Sequence, residues 1–323
     1  MSTPDVFVVV LSYNRPHYLR EALDSVVAQT CHPAEVLVVD NRSPASDLVA
    51  QVVAEIPEAR LIANPGNLGF AAGMNVGLRE ATGEYVLLTE DDIVLAPGAL
   101  EAVVRHLEDH PRVGMAGALM LNKSSGTVRC AGGEVRLGSR YSFRLTGEGR
   151  DDLGMTAPYR VNYLPGAFIL ARRELLIQVG GFWEELFMYQ EDVDLCLRVV
   201  AMGVGIDVVP AAVVRHFDPS DRPDPPWLAN LKMRNLLWIY VRHAPPRTFA
   251  AFFVRYYLLG MARALATDRR RAWAIARAVI VTGFHLPRLL SLRWRSPPAA
   301  SDVPPSLGEG PTPHNQKFGT TNN

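Results

Sequence analysis

The chain has 323 residues, 48% of them hydrophobic, and its 33 Lys and Arg residues equal its 33 Asp and Glu residues. This apolar content is enough for a buried core, and the length allows one large domain or two smaller ones. Cys31, Cys130 and Cys196 are far apart and lack CxxC spacing, which argues against a disulfide framework or a zinc site and favours a reducing compartment. The N-terminal Met-Ser-Thr-Pro-Asp has no basic n-region, so no signal peptide is expected.

The neutral total conceals two regions of opposite charge. Residues 1–225 hold 19 Lys and Arg against 30 Asp and Glu, whereas residues 226–295 hold 13 Lys and Arg against a single acid, Asp268. Four prolines within residues 219–226 mark a boundary between them. The sequence therefore predicts a catalytic domain over 1–225, a basic amphipathic helical segment over 226–295 and a disordered tail over 296–323, which is rich in Pro, Ser and Gly.

Apolar runs alternate with helix-like segments through the first 120 residues. The predicted strands are 6–11, 35–39, 60–63, 85–88 and 113–119, and the predicted helices are 18–29, 46–55, 70–81 and 97–108. Such alternation predicts an α/β fold with a parallel sheet and right-handed crossovers. Ligands of these sheets bind at the carboxyl ends of the strands.

The second half of the domain is less regular. Residues 122–160 are rich in Gly, Arg and Ser and predict a long excursion, a hairpin or a lid. The segments that follow are predicted as a strand at 162–171, helices at 172–179 and 188–202, and strands at 204–209 and 212–214.

Polar clusters follow three predicted strands, at 12–15, 40–43 and 90–92. The third cluster is Glu90, Asp91 and Asp92, three adjacent carboxylates between apolar residues, which repel one another and resist burial. A divalent cation bound through oxygen ligands would relieve both costs. The alternative is a polar loop that caps the helix beginning near Pro97.

Seven motifs in one order resemble the family 2 glycosyltransferases, and more narrowly their bacterial rhamnosyltransferase-like branch. They are Val-Val-Val-Leu-Ser-Tyr-Asn-Arg at 8–15, Val-Val-Asp-Asn-Arg-Ser at 38–43, Asn-Leu-Gly-Phe-Ala-Ala-Gly-Met-Asn at 67–75, Leu-Thr-Glu-Asp-Asp at 88–92, Gly-Gly-Phe-Trp-Glu at 180–184, Glu-Asp-Val-Asp-Leu-Cys-Leu-Arg at 191–198 and His216. The resemblance covers about residues 5–240. It implies the GT-A fold, a Rossmann-like, mainly parallel central sheet flanked by helices, here with a C-terminal helical extension. It also implies inverting transfer of a sugar from a nucleotide-diphosphate donor linked to dTDP, UDP or GDP.

The resemblance implies a donor-binding set at the ends of the first strands. Its members are Ser12, Tyr13, Asn14, Arg15, Asp40, Asn41, Asn67, Gly69, Asn75 and Asp91. Within it, Asp40 would contact the nucleotide base, and the alternative is that it caps the next helix. The glycines around 66–73 would let the backbone approach the donor, and the alternative is close packing of a helix on the sheet.

The resemblance also implies the catalytic and metal residues. Asp92 and His216 would bind Mg²⁺ or Mn²⁺, although a histidine among apolar strands is also a common core residue. Of the catalytic pair Glu191 and Asp192, only one can point directly at the acceptor, because neighbouring residues on a helix point about 100° apart, and the resemblance implies that Asp192 is the base. Asp194 is instead expected to pair with Arg198, four residues on. Gly166 and Ala167 would form a small-residue floor for the acceptor.

The C-terminal segment has two apolar stretches interrupted by arginines, at 249–266 and 272–295. The longest charge-free run in the second has 10 residues, against about 20 for a membrane span, so an interfacial helix or a helical cap on the domain or across a dimer is expected instead. The protein is expected in the cytoplasm, either free or peripherally bound to an anionic membrane. Its expected acceptor is a glycan or a lipid-linked glycan, and no nucleic acid is expected as a partner. The sequence leaves the oligomeric state open. Two other functions stay open: a non-catalytic nucleotide-sugar or glycan-binding module, and a nucleotidyltransferase.

Overall fold

The computed structural model describes residues 5–217 and 225–294. Its first half alternates strands and helices as predicted: β1 (Val6–Ser12), α1 (Pro16–Val27), β2 (Glu35–Asp40), α2 (Ser46–Ala54), β3 (Ala59–Ala63), α3 (Gly69–Glu80) and β4 (Tyr85–Glu90). Every residue of β1 is buried, as expected for a central strand of β-branched residues.

The second half adds further strands, three α-helices and a 3₁₀ turn. The elements are β5 (Ile93–Leu95), α4 (Ala99–Asp109), β6 (Val113–Asn122), β7 (Val128–Cys130), β8 (Gly133–Leu137), β9 (Tyr141–Leu145), β10 (Tyr159–Val161), β11 (Phe168–Arg172), α5 (Arg173–Val179), a 3₁₀ turn (Glu184–Leu186), α6 (Glu191–Ala201) and β12 (Gly205–His216). The excursion at 122–160 is therefore partly a hairpin, because β8 and β9 pair antiparallel in a small sheet of their own.

The central sheet has the order β10-β12-β6-β11-β4-β1-β2-β3, with β5 on β12 and β7 on β6. The pairs β4–β1, β1–β2, β2–β3 and β12–β6 are parallel. Strand β11 runs antiparallel to both of its neighbours, β4 and β6. The fold is thus α/β with a mostly parallel first half, as the sequence predicts, joined to a mixed half.

Two strand predictions were wrong in detail. Of the single strand predicted at 162–171, only the part from Phe168 onward is a strand, β11. The preceding strand, β10, ends at Val161, and Pro165 and Gly166 between the two interrupt sheet pairing. Conversely, the two strands predicted at 204–209 and 212–214 form one strand, β12. Its pairing with β6 shifts register between Val209 and Val213, and this irregularity accommodates Pro210 inside the strand.

Helices cover both faces of the sheet, and alternation along β1 divides the core. Phe7, Val9 and Leu11 pack in one buried cluster, which also contains residues of α3, α5 and α6. Val6, Val8 and Val10 pack in the other, with residues of α1, α2 and α4. This two-residue period is the one expected of a strand buried on both faces.

The C-terminal region is helical and begins as part of the same core. Its elements are α7 (Pro226–His243), α8 (Pro246–Phe252), a π-helical turn (Phe253–Leu258), α9 (Leu259–Thr267) and α10 (Arg269–Trp294). Trp238, Ile239 and Val241 of α7 lie in the buried cluster shared with α3 and α6. The predicted boundary prolines 219 and 223 and the predicted tail at 296–323 lie outside the described residues.

Two C-terminal helical stretches satisfy the length and composition of a membrane span. They are Pro246–Thr267, with 22 residues, and Arg269–Arg293, with 25 residues. Only 17% and 22% of their most apolar windows are buried inside the protein. The length of the longest run without charged residues therefore underestimated how apolar these helices are as a whole. Length and composition alone are weak evidence for a membrane span.

Candidate active site

The carboxyl ends of three neighbouring strands meet at one edge of the sheet. Ser12 pairs with Asp40 across β1 and β2, and Leu11 pairs with Glu90 across β1 and β4. The polar residues that follow these strands therefore lie side by side. This edge is where parallel sheets bind their ligands.

Asp91 is the most strongly held carboxylate at this edge. It is buried and accepts hydrogen bonds from the Ser12 hydroxyl at 2.8 Å and the Tyr13 amide at 3.0 Å. Arg15 forms a close ion pair with Asp92 and lies 3.5 Å from Asp91. Burial, and then the charge of Asp92, raises the pKa of Asp91 to about 7 and that of Glu90 to about 8. The edge thus holds more carboxylate than Arg15 can neutralise.

Asp92 and His216 form a pair of possible metal ligands beside this cluster. His216 Nε2 lies 3.8 Å from Asp92 Oδ1, and that Oδ1 and His216 Nδ1 are both buried without a hydrogen-bond partner. Burial lowers the pKa of His216, which favours the neutral imidazole that metals bind. Among residues 5–217 and 225–294, no three His, Cys, Asp or Glu side chains are grouped as a complete metal site. The pair therefore fits a cation whose other ligands are phosphate oxygens and water.

A cavity of about 530 Å³ opens beside the acidic cluster. It is lined by Leu11, Tyr13, Arg15, Asn41, Asn67, Gly69, Phe70, Glu90, Asp91, Phe187, Met188 and Trp227. Six of these are predicted donor-binding residues, and the mixture of aromatic walls with a few polar groups is typical of small-molecule sites.

Asn41 holds the loop that forms one wall of this cavity. Its amide nitrogen donates to Gly69 O at 2.9 Å and Asn67 Oδ1 at 3.2 Å, and its oxygen accepts from the Leu68 amide at 3.0 Å and from Asn64 at 3.2 Å. A buried amide with all of these partners is fixed in orientation. The loop before α3 is therefore held rigidly against the end of β2.

Four predicted donor-binding residues are not among those that line the cavity: Ser12, which donates to Asp91, and Asn14, Asp40 and Asn75. Asp40 accepts from the Ser43 backbone amide at 3.0 Å and the Ser46 hydroxyl at 2.6 Å and so holds the turn before α2. It does not cap the helix, the alternative raised from the sequence, because α2 has no side-chain hydrogen bond at its N-cap. Asn14 has φ 61°, and its backbone N–H donates to Ser43 Oγ at 2.7 Å. Asn75 exchanges two hydrogen bonds of 2.8 Å with the Phe182 backbone. The side chains of Asp40 and Asn75 are thus bonded to backbone segments, whereas Asn14 is held through its own backbone.

Asp192 lies in the first turn of α6, close to Phe70 of the cavity wall. Its Oδ2 accepts hydrogen bonds from the Tyr163 hydroxyl at 2.7 Å and the Gly166 amide at 3.4 Å. A Cβ added at Gly166 would lie 2.7 Å from Phe70 and 3.7 Å from the Asp192 Cβ, so only glycine fits between them. Burial raises the pKa of Asp192, and the Tyr163 hydrogen bond opposes that rise.

The neighbours of Asp192 have different environments. Glu191 is buried, its Oε2 has no hydrogen-bond partner, and burial followed by the charge of Asp192 raises its pKa well above the usual range. Asp194 pairs with Arg198 at 2.8 Å, as predicted, and is also bonded to Arg242 and His243 of α7. Ala167 is buried and its carbonyl accepts from Thr89 at 3.0 Å, so its contribution is structural.

Several residues of the site were missed in the sequence. Tyr163 is 29 residues from Asp192 and carries no motif. Phe187 and Met188 reach the cavity through a segment in which Phe187, Tyr189 and Gln190 have positive φ, between 66° and 74°. This segment contains no glycine that would predict a positive φ. Its only feature visible in the sequence is the pair of aromatic residues Phe187 and Tyr189 shortly before Glu191.

The sequence matches a known family over more than half of its length. Glycosyl transferase family 2 matches residues 7–180. The N-acetylglucosaminyl-diphospho-decaprenol L-rhamnosyltransferase of Mycobacterium tuberculosis is 30% identical over 241 residues, which cover 68% of this chain and 78% of that protein. The rhamnosyltransferase WbbL of Escherichia coli is 25% identical over 228 residues, covering 67% of this chain and 84% of that protein.

Solved structures share the fold. GalNAc-T7 in complex with UDP, GalNAc and Mn²⁺ has a TM-score of 0.64 and 15% identity, over 89% of this chain and 58% of that chain. The mannosyltransferase PcManGT of Pyrobaculum calidifontis, with GDP-Man and Mn²⁺, has a TM-score of 0.55 and 21% identity, over 91% and 80%. With the fold, the strand-end cluster and the sequence match in agreement, the chain belongs to glycosyl transferase family 2 and is a glycosyltransferase.

Proposed function

We propose that this glycosyltransferase is an inverting enzyme that moves a hexosyl group from a nucleotide-diphosphate donor to a hydroxyl acceptor, with Asp192 as its base. The observation that supports this most is the setting of Asp192. One of its carboxylate oxygens is held by Tyr163 and Gly166, beside the aromatic wall of a cavity that contains the acidic strand end. A base must be both oriented and close to the reacting hydroxyl.

The proposed step needs a single base. The acceptor hydroxyl gives its proton to Asp192 while its oxygen forms a bond to the anomeric carbon of the donor sugar. On the opposite face the bond from that carbon to the phosphate oxygen breaks, and the nucleoside diphosphate leaves with the electron pair. Burial and the charge of Asp192 raise the pKa of Glu191, which favours its protonated form and leaves Asp192 as the carboxylate that accepts the proton. Because the attack and departure occur on opposite faces, the configuration at the anomeric carbon inverts.

We propose that Asp92 and His216 hold Mg²⁺ or Mn²⁺ together with the donor diphosphate. Their unpartnered buried atoms support this, and the two solved structures of the same fold are Mn²⁺ complexes. When bound, the cation supplies Lewis-acid stabilisation of the negative charge on the leaving diphosphate. Arg15 pairs with Asp92 and Asp91, and its guanidinium is available to the same phosphates.

The remaining strand-end residues would position the nucleotide. Tyr13, Asn41, Asn67 and Gly69 line the cavity directly, and Asn41 also holds the loop at 67–69 by hydrogen bonds. Ser12 acts through Asp91, to which it donates. Asp40 and Asn75 would act through the backbone that they hold, and Gly166 would let Phe70 pack next to Asp192 at the acceptor side.

The relatives indicate the substrate class that should be tested first. Two of them are named as rhamnosyltransferases, and one of these is named for a diphospho-decaprenol substrate. We propose a dTDP-, UDP- or GDP-linked hexose as donor, with rhamnose as the first candidate, and a lipid-linked glycan as acceptor. The enzyme would then work in the cytoplasm at the inner face of the membrane, where its apolar C-terminal helices would face the acceptor lipid.

A screen of nucleotide sugars tests the reaction, and Asp192→Asn tests the base. Release of nucleoside diphosphate should occur with one donor, and the variant should lose about 10²–10⁴ in kcat while it still binds that donor, because the amide keeps the shape but accepts no proton. Asp151→Asn, an exposed carboxylate on a loop, is the matched control.

The two alternative functions would each give a different result in the same screen. Binding of a nucleotide sugar without turnover indicates a binding module, and release of pyrophosphate indicates a nucleotidyltransferase. Near-normal turnover in Asp192→Asn removes Asp192 from the role of base.

A further inference from the structure

Helix α7 carries a fully buried asparagine that binds the segment in front of the proposed base. Asn235 is 0% exposed. Its amide nitrogen donates to the backbone carbonyls of Leu186 at 2.8 Å, Met188 at 2.9 Å and Tyr189 at 2.7 Å. Three carbonyls of one short segment thus converge on a single side-chain amide.

Arg234 fixes the orientation of that amide. Its guanidinium donates to Asn235 Oδ1 at 2.9 and 2.7 Å, and also to the carbonyl of Glu185 at 2.9 Å. The oxygen of Asn235 therefore faces the arginine and its NH₂ group faces the segment. An aspartate would have the same shape but no hydrogen to donate.

The bound segment needs support from outside itself. Phe187, Tyr189 and Gln190 have φ of 67°, 66° and 74°, a region that non-glycine residues occupy only when the surroundings hold them there. Hydrogen bonds from the buried Asn235 side chain to the carbonyls of Leu186, Met188 and Tyr189, within and just before this segment, provide that support.

The same segment joins the donor cavity to the base. Phe187 and Met188 line the cavity, and the carbonyl of Phe187 accepts from the Ala71 amide at 3.1 Å, in the first turn of α3. At its other end, Gln190 directly precedes α6, whose second residue is Asp192. A change in the segment would therefore move the cavity wall and the base together.

Helix α7 also binds α6 beyond the base. Arg242 Nη1 donates to Asp194 Oδ1 at 2.9 Å, and His243 Nε2 lies 2.7 Å from the same oxygen. Asp192 is thus flanked by two attachments to α7, one before it at 186–189 and one after it at 194. A helix held at both points has a fixed position and rotation.

We propose that Asn235 is a positioning residue for this transferase, which sets the backbone of 186–190 and through it the donor wall and Asp192. This inference rests on the proposed role of Asp192. It makes α7 part of the active site, although the family match ends at residue 180.

The test compares Asn235→Asp with Gln51→Glu, the same change from amide to carboxylate at an exposed position on α2. We expect Asn235→Asp to lower kcat about 10- to 100-fold, because small displacements of reacting groups have effects of this size. It should also raise the donor KM about two- to tenfold, because the cavity wall moves too. The control should change neither by more than about twofold.

Hydrogen–deuterium exchange provides a readout that needs no substrate. Amides in 187–192 and that of Ala71 should exchange faster in Asn235→Asp than in the control. Should Asn235→Asp not fold, Asn235→Ser, which keeps one hydroxyl donor, should give a smaller change in the same directions.

Two results for Asn235→Asp would overturn the inference. One is unchanged hydrogen–deuterium exchange in this segment, and the other is an unchanged donor KM with a kcat that falls only in proportion to the folded fraction. If wild-type enzyme turns over no donor, the proposed function fails, and the exchange data still decide whether Asn235 holds the segment.

Discussion

Asp192 and Asp194 are two residues apart on one helix and have opposite electrostatic environments. Burial alone would raise the pKa of Asp194, but Arg198, His243 and Arg242 hold it well below its usual range. Asp192 is paired with no cation among its described contacts and its pKa is raised. One carboxylate is therefore permanently ionised and structural, and the other can exchange a proton during turnover.

The first prediction about individual residues concerns how kcat depends on pH. A base whose pKa is raised becomes protonated, and so inactive, at a higher pH than an ordinary Asp, whose pKa is about 4. We expect kcat to be retained above the raised pKa and to fall as the pH drops through it. Tyr163→Phe removes the hydrogen bond that lowers this pKa, so the acidic limb of the profile should move to higher pH.

The pH profile must be interpreted with the groups that face Asp192. They are Glu90, Cys130, Tyr141, Tyr163, Glu191 and Cys196. Tyr159→Phe is the control, because its hydroxyl donates to the Ala131 carbonyl instead. An acidic limb that stays in place in Tyr163→Phe would show that Asp192 does not set it.

A second outcome concerns the metal. Chelation by EDTA should lower kcat by a factor on the order of 100 or more, since Lewis-acid stabilisation supplies several kcal/mol, and Mg²⁺ or Mn²⁺ should restore it. Calorimetry of UDP, GDP and dTDP should show cation-dependent binding that Asp92→Asn and His216→Gln weaken. His32→Gln, at an exposed histidine, is the control. Full activity in EDTA would leave Arg15 as the cation at the diphosphate.

Residue roles were predictable only where spacing along the chain decides them. The pair of Asp194 and Arg198 follows from a four-residue interval on a helix. The commitments of Asp40 and Asn75 do not, because their partners depend on which backbone groups the folded loops leave unpaired. Tyr163 was missed for the same reason, since only tertiary structure brings it to Asp192.

At the scale of elements, the glycines of α3 explain how the helix sits on the sheet. A Cβ at Gly77 would lie 2.2 Å from Val9 Cγ1, and one at Gly73 would lie 2.6 Å from Leu11 Cδ1. Both glycines therefore let α3 approach β1, which is the packing alternative raised from the sequence. The close approach in turn places Gly69, at the start of α3, beside the cavity.

Gly77→Ala should therefore destabilise the fold. The added methyl overpacks the contact with Val9, which typically costs about 1–3 kcal/mol of unfolding free energy. Urea denaturation measures this, with Gly66→Ala as the control, because a Cβ there meets nothing within 4 Å. Equal stability of the two variants would mean that α3 is not held against β1 at this point.

Strands and helices were predicted well where one hydrophobic periodicity continues through the whole element. The alternation of strands and helices up to β4 is clear in the sequence because each strand is a short apolar run and each helix has a buried face. The segment before α6 was not foreseen, because three non-glycine residues there adopt positive φ. That conformation is imposed by contacts with α7, which lies more than 40 residues later.

At the scale of the whole molecule, charge and apolar surface separate along the chain. Residues 1–225 are acidic overall, whereas 226–295 carry 13 Lys and Arg with Asp268 as their one acid. The basic region also exposes large apolar side chains on α10, with Trp273 64% and Phe284 82% exposed. Basic residues beside exposed aromatic ones are the composition of helices that lie in a membrane interface.

We therefore expect the full-length protein to bind anionic vesicles. Each Lys or Arg near such a surface contributes about 1 kcal/mol and salt screens this, so high salt should release part of the protein. Trp273→Ser with Phe284→Ser should weaken sedimentation with the vesicles, because less apolar surface enters the interface. Ile177→Ser, which removes an apolar side chain 55% exposed on α5, should leave it unchanged. If the protein ignores anionic vesicles at low salt, α9 and α10 serve instead as a packing or dimer surface, and a soluble acceptor is favoured over a lipid-linked one.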